Sequence, residues 1–261
     1  MISMDAVTLS IILPAFVAGI VVLVTHIPLG REVIRRGIIF IDLAVAQIAG
    51  LGVIIAYQFG WHIHGVEAQI AAVSSALVGA AVLRAIERTA GEHMEAYIGV
   101  IFILAATASI LLLANNPHGS EHLKELLVGQ ILWVDWLQVA IAAAISLAVL
   151  VVWYGFGQHI GNIGFYVLFA ISITVSVQLV GVYLVFSSLI VPALATFRMA
   201  DRPALLTAAM IGVTGYFGGL LVSAAFDLPS GAVIVWCLVV SAVIISPLAT
   251  RGLLKTNNRM G

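Results

Sequence analysis

An all-α, polytopic integral membrane protein is the fold class this sequence predicts, on three observations. Hydrophobic residues make up 62% of its 261 residues and charged residues 9%, whereas a soluble domain carries about a quarter charged residues. Apolar runs close to the roughly 20 residues needed to cross a hydrocarbon core recur along the whole chain. Lys and Arg gather in alternate loops, the asymmetry that sets orientation in a membrane. The chain reads as a single transmembrane domain, residues 1–261. A net charge of −1 argues against a nucleic-acid partner. The one cysteine, Cys237, can form no internal disulfide and reads as an apolar, buried residue.

The first apolar run, Val7 to Thr25, has no basic segment before it and no small-residue cleavage site after it, so it is expected to be a retained helix. Pro28, Arg31, Arg35 and Arg36 follow it and mark the cytoplasmic side. Span 2, Gly37 to Phe59, exits into a loop without Lys or Arg. Span 3, Ile70 to Leu83, returns to Arg84 and Arg88, with Glu87, Glu92, His93 and Glu95 nearby. Span 4, Ala96 to Ala114, leads to an external loop whose basic residue is Lys124, and span 5, Leu127 to Tyr154, comes back. Trp133, Trp136, Trp153 and Tyr154 fit the two interfaces of that span. His26 and His159 fall at membrane edges, where interfacial anchoring is the expected role.

Residues 163–197 allow two readings: two short spans, Ile163 to Leu179 and Tyr183 to Phe197, turning at Val180 and Gly181, or one span followed by a re-entrant segment. The last pair, Ala204 to Phe226 and Ala232 to Leu248, is joined by DLPSG, and the tail carries Arg251, Lys255 and Arg259. The sum is eight or nine spans. Within Val180 to Pro203, Gly181, Ser187, Ser188 and Pro192 make a poor plain helix. Proline removes a backbone donor and serine hydroxyls re-satisfy the freed carbonyls. This stretch is expected to be a hinge or gate. No phosphate-cradling G-x-x-x-x-G-K-[ST] motif occurs, so any ATP hydrolysis would come from another chain.

Several motifs point to one family. The stretch from Gly181 through Pro192 to Arg198 has the pattern G-x-x-L-x-x-S-L-I-x-P-A-x-A-x-x-R. PLGREVIRRGIIFIDLAVAQIAGLGV carries R-R-x-x-x-x-x-D, EAYIGV carries Glu95 and Gly99, LLVGQILWV has Gln130 where an aspartate is usual, and FDLPSGAVIV supplies Asp227, Pro229 and Gly231. In this order they resemble the permease subunits of zinc and manganese ABC importers. The resemblance implies a type II ABC importer-like permease fold, a homodimer in the lipid bilayer, and a separate cytosolic ABC ATPase. It further implies an extracytoplasmic metal-binding protein, a bacterial inner-membrane location, and zinc or manganese as transported substrate with no permanently bound cofactor. No catalytic constellation is evident, and an enzyme is not expected.

Two departures stand out. The family's second helix carries a metal-handling aspartate with a histidine four residues on. Asp42 matches the first, but Ala46 takes the second position, and Gln47 beside it is rotated by roughly 140° from Asp42. The family also has a coupling segment between spans 5 and 6, where this chain has only Gly155 to Gly164. ATPase contact has then moved to other cytoplasmic turns, or coupling is lost and the chain is a scaffold, regulatory subunit or ion channel.

Asp42 and Gln47 are therefore candidate stops on a metal pathway, the alternative being structural partners within the helix bundle. His62, His64, His118, Glu121 and His122 offer imidazole and carboxylate donors for an external metal-binding site, against the plainer reading of two solvated loops. Arg31, Arg35, Arg36, Arg84, Arg88, Arg198 and Arg202 are the candidate ATPase contacts.

Overall fold

The computed structural model describes residues 6–61, 65–114, 116, 124 and 127–257, and helices dominate them. The first helix, α1 (Ala6–Arg36), runs past Pro14 and Pro28 and ends with Arg35 and Arg36 in its last turn, where cations oppose the negative end of the helix dipole. Gly37 stops it. At φ +66 it lets the Gly37 amide reach Ile34 O (3.1 Å) and the Ile38 amide reach Val33 O (3.3 Å), a Schellman closure. Next come α2 (Ile41–Gln58) and α3 (Val66–Ala90), then a single turn of 3₁₀ helix, Gly91–His93, entered through Gly91 at φ +50, and α4 (Met94–Leu113).

Helix α5 (Trp136–Val180) begins with a capping box. Gln138 N donates to Asp135 Oδ1 (2.7 Å) while Asp135 N donates to Gln138 Oε1 (3.1 Å). Helical assignment continues to Val180, but Gly161 has φ 57 and ψ −166 and breaks it. The chain reverses there. The Trp153 and Phe165 ring centroids lie 6.1 Å apart, although twelve residues of straight helix would separate them by about 18 Å. Two crossings, Trp136–Phe156 and Gly161–Val180, result. The expected Gly155 to Gly164 loop is thereby corrected: its backbone is helical on both sides and the turn is confined to Gly161.

After Gly181 at φ +81, α6 (Val182–Thr196) spans 15 residues, followed by α7 (Asp201–Phe226) and α8 (Ser230–Asn257). Asp227 ends α7 in the left-handed region, φ 51, with the Leu228 amide closing onto Ser223 O at 3.1 Å. Seven segments have the length and hydropathy to cross a membrane, and one of them, Val66–Leu113, contains both α3 and α4. With the shorter α6, the described residues hold nine apolar helical segments, and residues 163–197 contain two of them, separated at Gly181.

Helix α1 is the pillar of the bundle, packing on α5, α6 and α7, while α2 sits against α3 and α4, and α7 against α8. Small residues permit these approaches. Ala68, Ala72, Ala76 and Ala80 form a buried stripe on α3, and a Cβ on Gly219 of α7 would stand 2.6 Å from Ile234 Cα of α8. Core side chains include Tyr166, Phe165, Phe169 and Tyr216, the last hydrogen bonded to Ser188 Oγ at 2.8 Å. The basic residues lie on the helices rather than in the loops between them: Arg31, Arg35 and Arg36 are on α1, Arg84 and Arg88 on α3. His26, expected at a membrane edge, is fully buried within α1.

Candidate functional site

A cavity of about 570 Å³ opens among α2, α4, α5, α6 and α8. One face of α2 forms a wall through Leu43, Ala46, Gln47 and Gly50, spaced three and four residues apart as a helix face demands. Phe102 and Ser109 of α4 stand opposite, and Phe186 and Ser187 of α6, with Trp236 of α8, complete the ring. Trp236 is 73% exposed, so the cavity opens sideways from the bundle. Ser109 Oγ donates to Ala105 O (3.0 Å) and Ser187 Oγ to Tyr183 O (2.8 Å), leaving both hydroxyl oxygens able to accept.

Next to the lining residues Leu127 and Val182, at the end away from the arginine-bearing turns, two close-packed glycines form a roof beside the lining itself. Leu127 is part of the lining, and directly after it the backbone of Val128 and Gly129 lies on the turn between α5 and α6. A Cβ on Gly129 would meet Gly181 N at 2.6 Å, and one on Gly181 would meet Gly129 Cα at 2.6 Å. Gly129 (φ +73) and Gly181 (φ +81) also hold conformations that favour glycine. Val128 O in turn sits 2.6 Å from where a Cβ of Gly231, in the first turn of α8, would project. Two backbone contacts, Gly129 on Gly181 and Val128 on Gly231, thus tie the roof to two of the cavity's walls.

Asp42 lies elsewhere. In the first turn of α2 it is 1% exposed, with both carboxylate oxygens buried near the Asp42 and Leu43 amides and with no side-chain hydrogen-bond partner among the described residues. It is not part of the lining, and the cavity-facing side of α2 is centred about 90° around the helix from it. Glu95, at the head of α4, accepts a hydrogen bond from the Ile39 amide and leaves its other oxygen buried and unpaired. Of the two pathway candidates, Gln47 faces the cavity and Asp42 faces the packed end of the bundle. Among the described residues no group of three or more His, Cys, Asp or Glu side chains gathers to hold a metal ion. His62, His64, His118, Glu121 and His122 lie outside the described residues.

The hinge candidates sit together. Ser188 Oγ donates to Leu184 O (2.6 Å) and Thr196 Oγ1 to Pro192 O (2.8 Å), so α6 stays helical through Pro192. Its far end is anchored by Arg31, whose guanidinium reaches Thr196 O (3.4 Å) and Asp201 Oδ1 (2.7 Å); Arg35 also meets Asp201 at 2.7 Å. The arginines divide into two groups. Arg36 pairs with Glu32 (2.7 Å), bonds Asn162 and covers the Phe165 ring, while Arg84 pairs with Glu87 (2.8 Å). Arg88, Arg198 and Arg202 are exposed and make no ion pair among the described residues. With exposed Glu92 and His93 they leave two turns, around 88–93 and 197–202, open to another chain. The roof glycines were beyond single-sequence reasoning: the motifs holding Gly129 and Gly231 were visible, but not their contact with Gly181.

A bundle of apolar helices long enough to cross a membrane, with a cavity among them, describes a multi-pass membrane protein. The family model of the ABC 3 transport family matches residues 8–163 and 154–249. The chain belongs to that family. It is 26% identical over 242 residues to the manganese transport system membrane protein MntC of Halalkalibacterium halodurans, covering 85% of this chain and 81% of that one. Among solved structures it resembles PsaBC from Streptococcus pneumoniae in complex with Fab, with TM-score 0.72, 21% identity, and 88% and 89% of the two chains covered. An inward-facing structure described as a metal-chelate type ABC transporter is more distant, with TM-score 0.57, 17% identity and coverage of 93% and 85%. The two matched stretches of the family model meet at the α5 reversal.

Proposed function

We propose that this chain is the permease subunit of an ABC importer for a divalent transition metal, manganese or zinc. It would act as a homodimer in a bacterial inner membrane, driven by a separate cytosolic ATPase and supplied by an extracytoplasmic metal-binding protein. The observation that carries this reading is the cavity roofed by the Gly129–Gly181 contact, in a chain of the ABC 3 transport family with a manganese-transport relative. Opening the roof would admit cargo from one side, and movement of α6 about its ends would release it to the other. Binding energy at the cytosolic turns must favour one state over the other for such a switch to work. Arg88, Glu92, His93, Arg198 and Arg202 are the exposed groups available for that contact.

Metal accumulation tests the reading. Cells deprived of their own manganese and zinc uptake should accumulate one of these metals when the chain is expressed with a candidate ATPase. No accumulation with any candidate ATPase would reject it. A second reading has its own support: the α5 reversal is a single glycine with no projecting helix for an ATPase to grip. A scaffold, regulatory subunit or ion channel of the same fold would then purify free of ATPase and show no metal-stimulated hydrolysis.

A further inference from the structure

The cavity has a floor as well as a roof. Along α2 its lining runs from Gly50 through Gln47 to Leu43. Phe40, Leu43 and Gln47 are spaced three and four residues apart, so the next residue of that wall toward the arginine-bearing end is Phe40. Its ring is stacked on that of Phe186, with 5° between the planes and 6.2 Å between the centroids, inside the roughly 4.5–7 Å range of offset-stacked rings. Phe186 belongs both to α6 and to the cavity lining. The pair therefore bridges the α2 and α6 walls one helical turn beyond Leu43.

The backbone under Phe40 is held from outside its own helix. Phe40 ends the elbow between α1 and α2, which Gly37 opens at φ +66, and its carbonyl accepts the Ala44 amide at 3.3 Å. One residue back, the Ile39 amide donates to the Glu95 carboxylate. Glu95 stands in the first turn of α4, directly after the Gly91–His93 turn, whose Glu92 and His93 are exposed. A displacement of that cytosolic turn is thus one hydrogen bond away from the Phe40 backbone. We propose that Phe40 and Phe186 form the cytoplasmic gate of the cavity, and that Glu95 is the positioning residue that works it. When the turn around 88–93 shifts the head of α4, Glu95 carries the Ile39–Phe40 elbow with it and draws the Phe40 ring off Phe186. A closed pair of rings offers a hydrated ion nothing in place of its water, as in hydrophobic constrictions that gate by dewetting, and it parts for the loss of one contact. The proposal rests on the permease reading above and locates the inner gate of that same pathway.

Thiol labelling tests the gate. In the full-length protein with Cys237→Ala, Gln47→Cys places a single reporter thiol in the cavity. Inside-out and right-side-out membrane vesicles expose it, one face at a time, to a membrane-impermeant cationic thiosulfonate. Phe40→Ala and Phe186→Ala should each raise the labelling rate from the cytoplasmic face at least about fivefold, within what loss of one aromatic pair allows. Phe40 is half exposed, so its variant carries the test even where Phe186→Ala does not fold. Glu95→Ala should also accelerate labelling, and Glu95→Gln, whose amide oxygen still accepts from Ile39, should restore most of the parent rate. Labelling from the external face should keep the parent rate in every variant, which separates a gate from general loosening. Phe226→Ala, at the far end of α7, is the control and should change neither rate. Unchanged cytoplasmic labelling in the phenylalanine variants, or equal acceleration from both faces, would overturn the gate; no effect of Glu95→Ala would overturn the role of Glu95. Metal accumulation is read separately. If labelling responds as expected and no metal accumulates with any candidate ATPase, the gate stands and the permease reading falls; if metal accumulates and labelling ignores Phe40 and Phe186, the permease reading stands without this gate.

Discussion

Replacing Gly181 with alanine perturbs the roof at its tightest point. At φ +81 and ψ 164, Gly181 occupies a region that is essentially glycine's alone, and a residue with a Cβ there costs of order 1–3 kcal/mol. The added methyl would also stand 2.6 Å from Gly129 Cα and 2.7 Å from Val128 C, both backbone atoms that cannot swing aside. Overpacking of that kind adds about 1–3 kcal/mol. The sum is about 2–6 kcal/mol unless the Val128–Gly129 segment lifts off, in which case the roof opens. Gly99→Ala is the matched control, because a Cβ there meets nothing within 4 Å and a helical glycine replaced by alanine gains about 0.5–1 kcal/mol. Thermal unfolding in nanodiscs should lower the Gly181→Ala midpoint by several degrees, at about 2–4 °C per kcal/mol. Limited proteolysis should cut near residue 128 faster in the variant. A midpoint equal to that of the parent, with unchanged cleavage, would refute the backbone contact as the roof's anchor.

Three further outcomes follow from the packing. Ser188→Ala removes the partner of the buried Tyr216 hydroxyl and should destabilise by about 1–3 kcal/mol, while the double variant with Tyr216→Phe should recover part of the loss in the same melt. Neighbouring glycines on α7 should behave oppositely. Gly219→Ala would strike Ile234 Cα and cost about 1–3 kcal/mol, whereas Gly218→Ala faces open space and should be neutral or slightly stabilising by denaturant or thermal unfolding. Asp201→Asn should lower the midpoint at low ionic strength, and the difference should vanish near 1 M salt, where screening acts over about 3 Å, because the Asp201 carboxylate that receives Arg31 and Arg35 is exposed to solvent.

Much of the architecture was legible because a membrane span is written in length and hydropathy, which one sequence contains. An all-helical membrane bundle of eight or nine spans, and a turn at Gly181, could be read in this way, though not which of the two counts holds. Boundaries were less clear, since Arg31, Arg36, Arg84 and Arg88 lie on helices whose ends project past the apolar runs, and long cationic stems tolerate that placement. The same error put His26 at an edge. Between 155 and 164 the polar, glycine-rich composition suggested a loop, yet helical backbone persists until a single glycine reverses it. Gln47 and Ser187, which line the cavity, had drawn attention as a pathway candidate and a hinge candidate because polar groups are conspicuous in an apolar helix. Phe102, Phe186 and Trp236 had not, because an aromatic residue that lines a cavity and one that faces lipid look alike in sequence. Nor can one sequence reveal that Gly129, Gly181 and Gly231 meet in space.

The roof also constrains how the protein is made. Val128 and Gly129 are synthesised early, but their seat at Gly181 comes only after the α5 reversal, and the one at Gly231 only after α6 and α7 as well. Contacts so far apart in the chain close late, since each intervening length must first be confined. The newborn protein therefore carries an open cavity until α8 is in place. An intermediate halted before Gly231 would present its apolar walls without a cover and offer an early target for quality-control proteases.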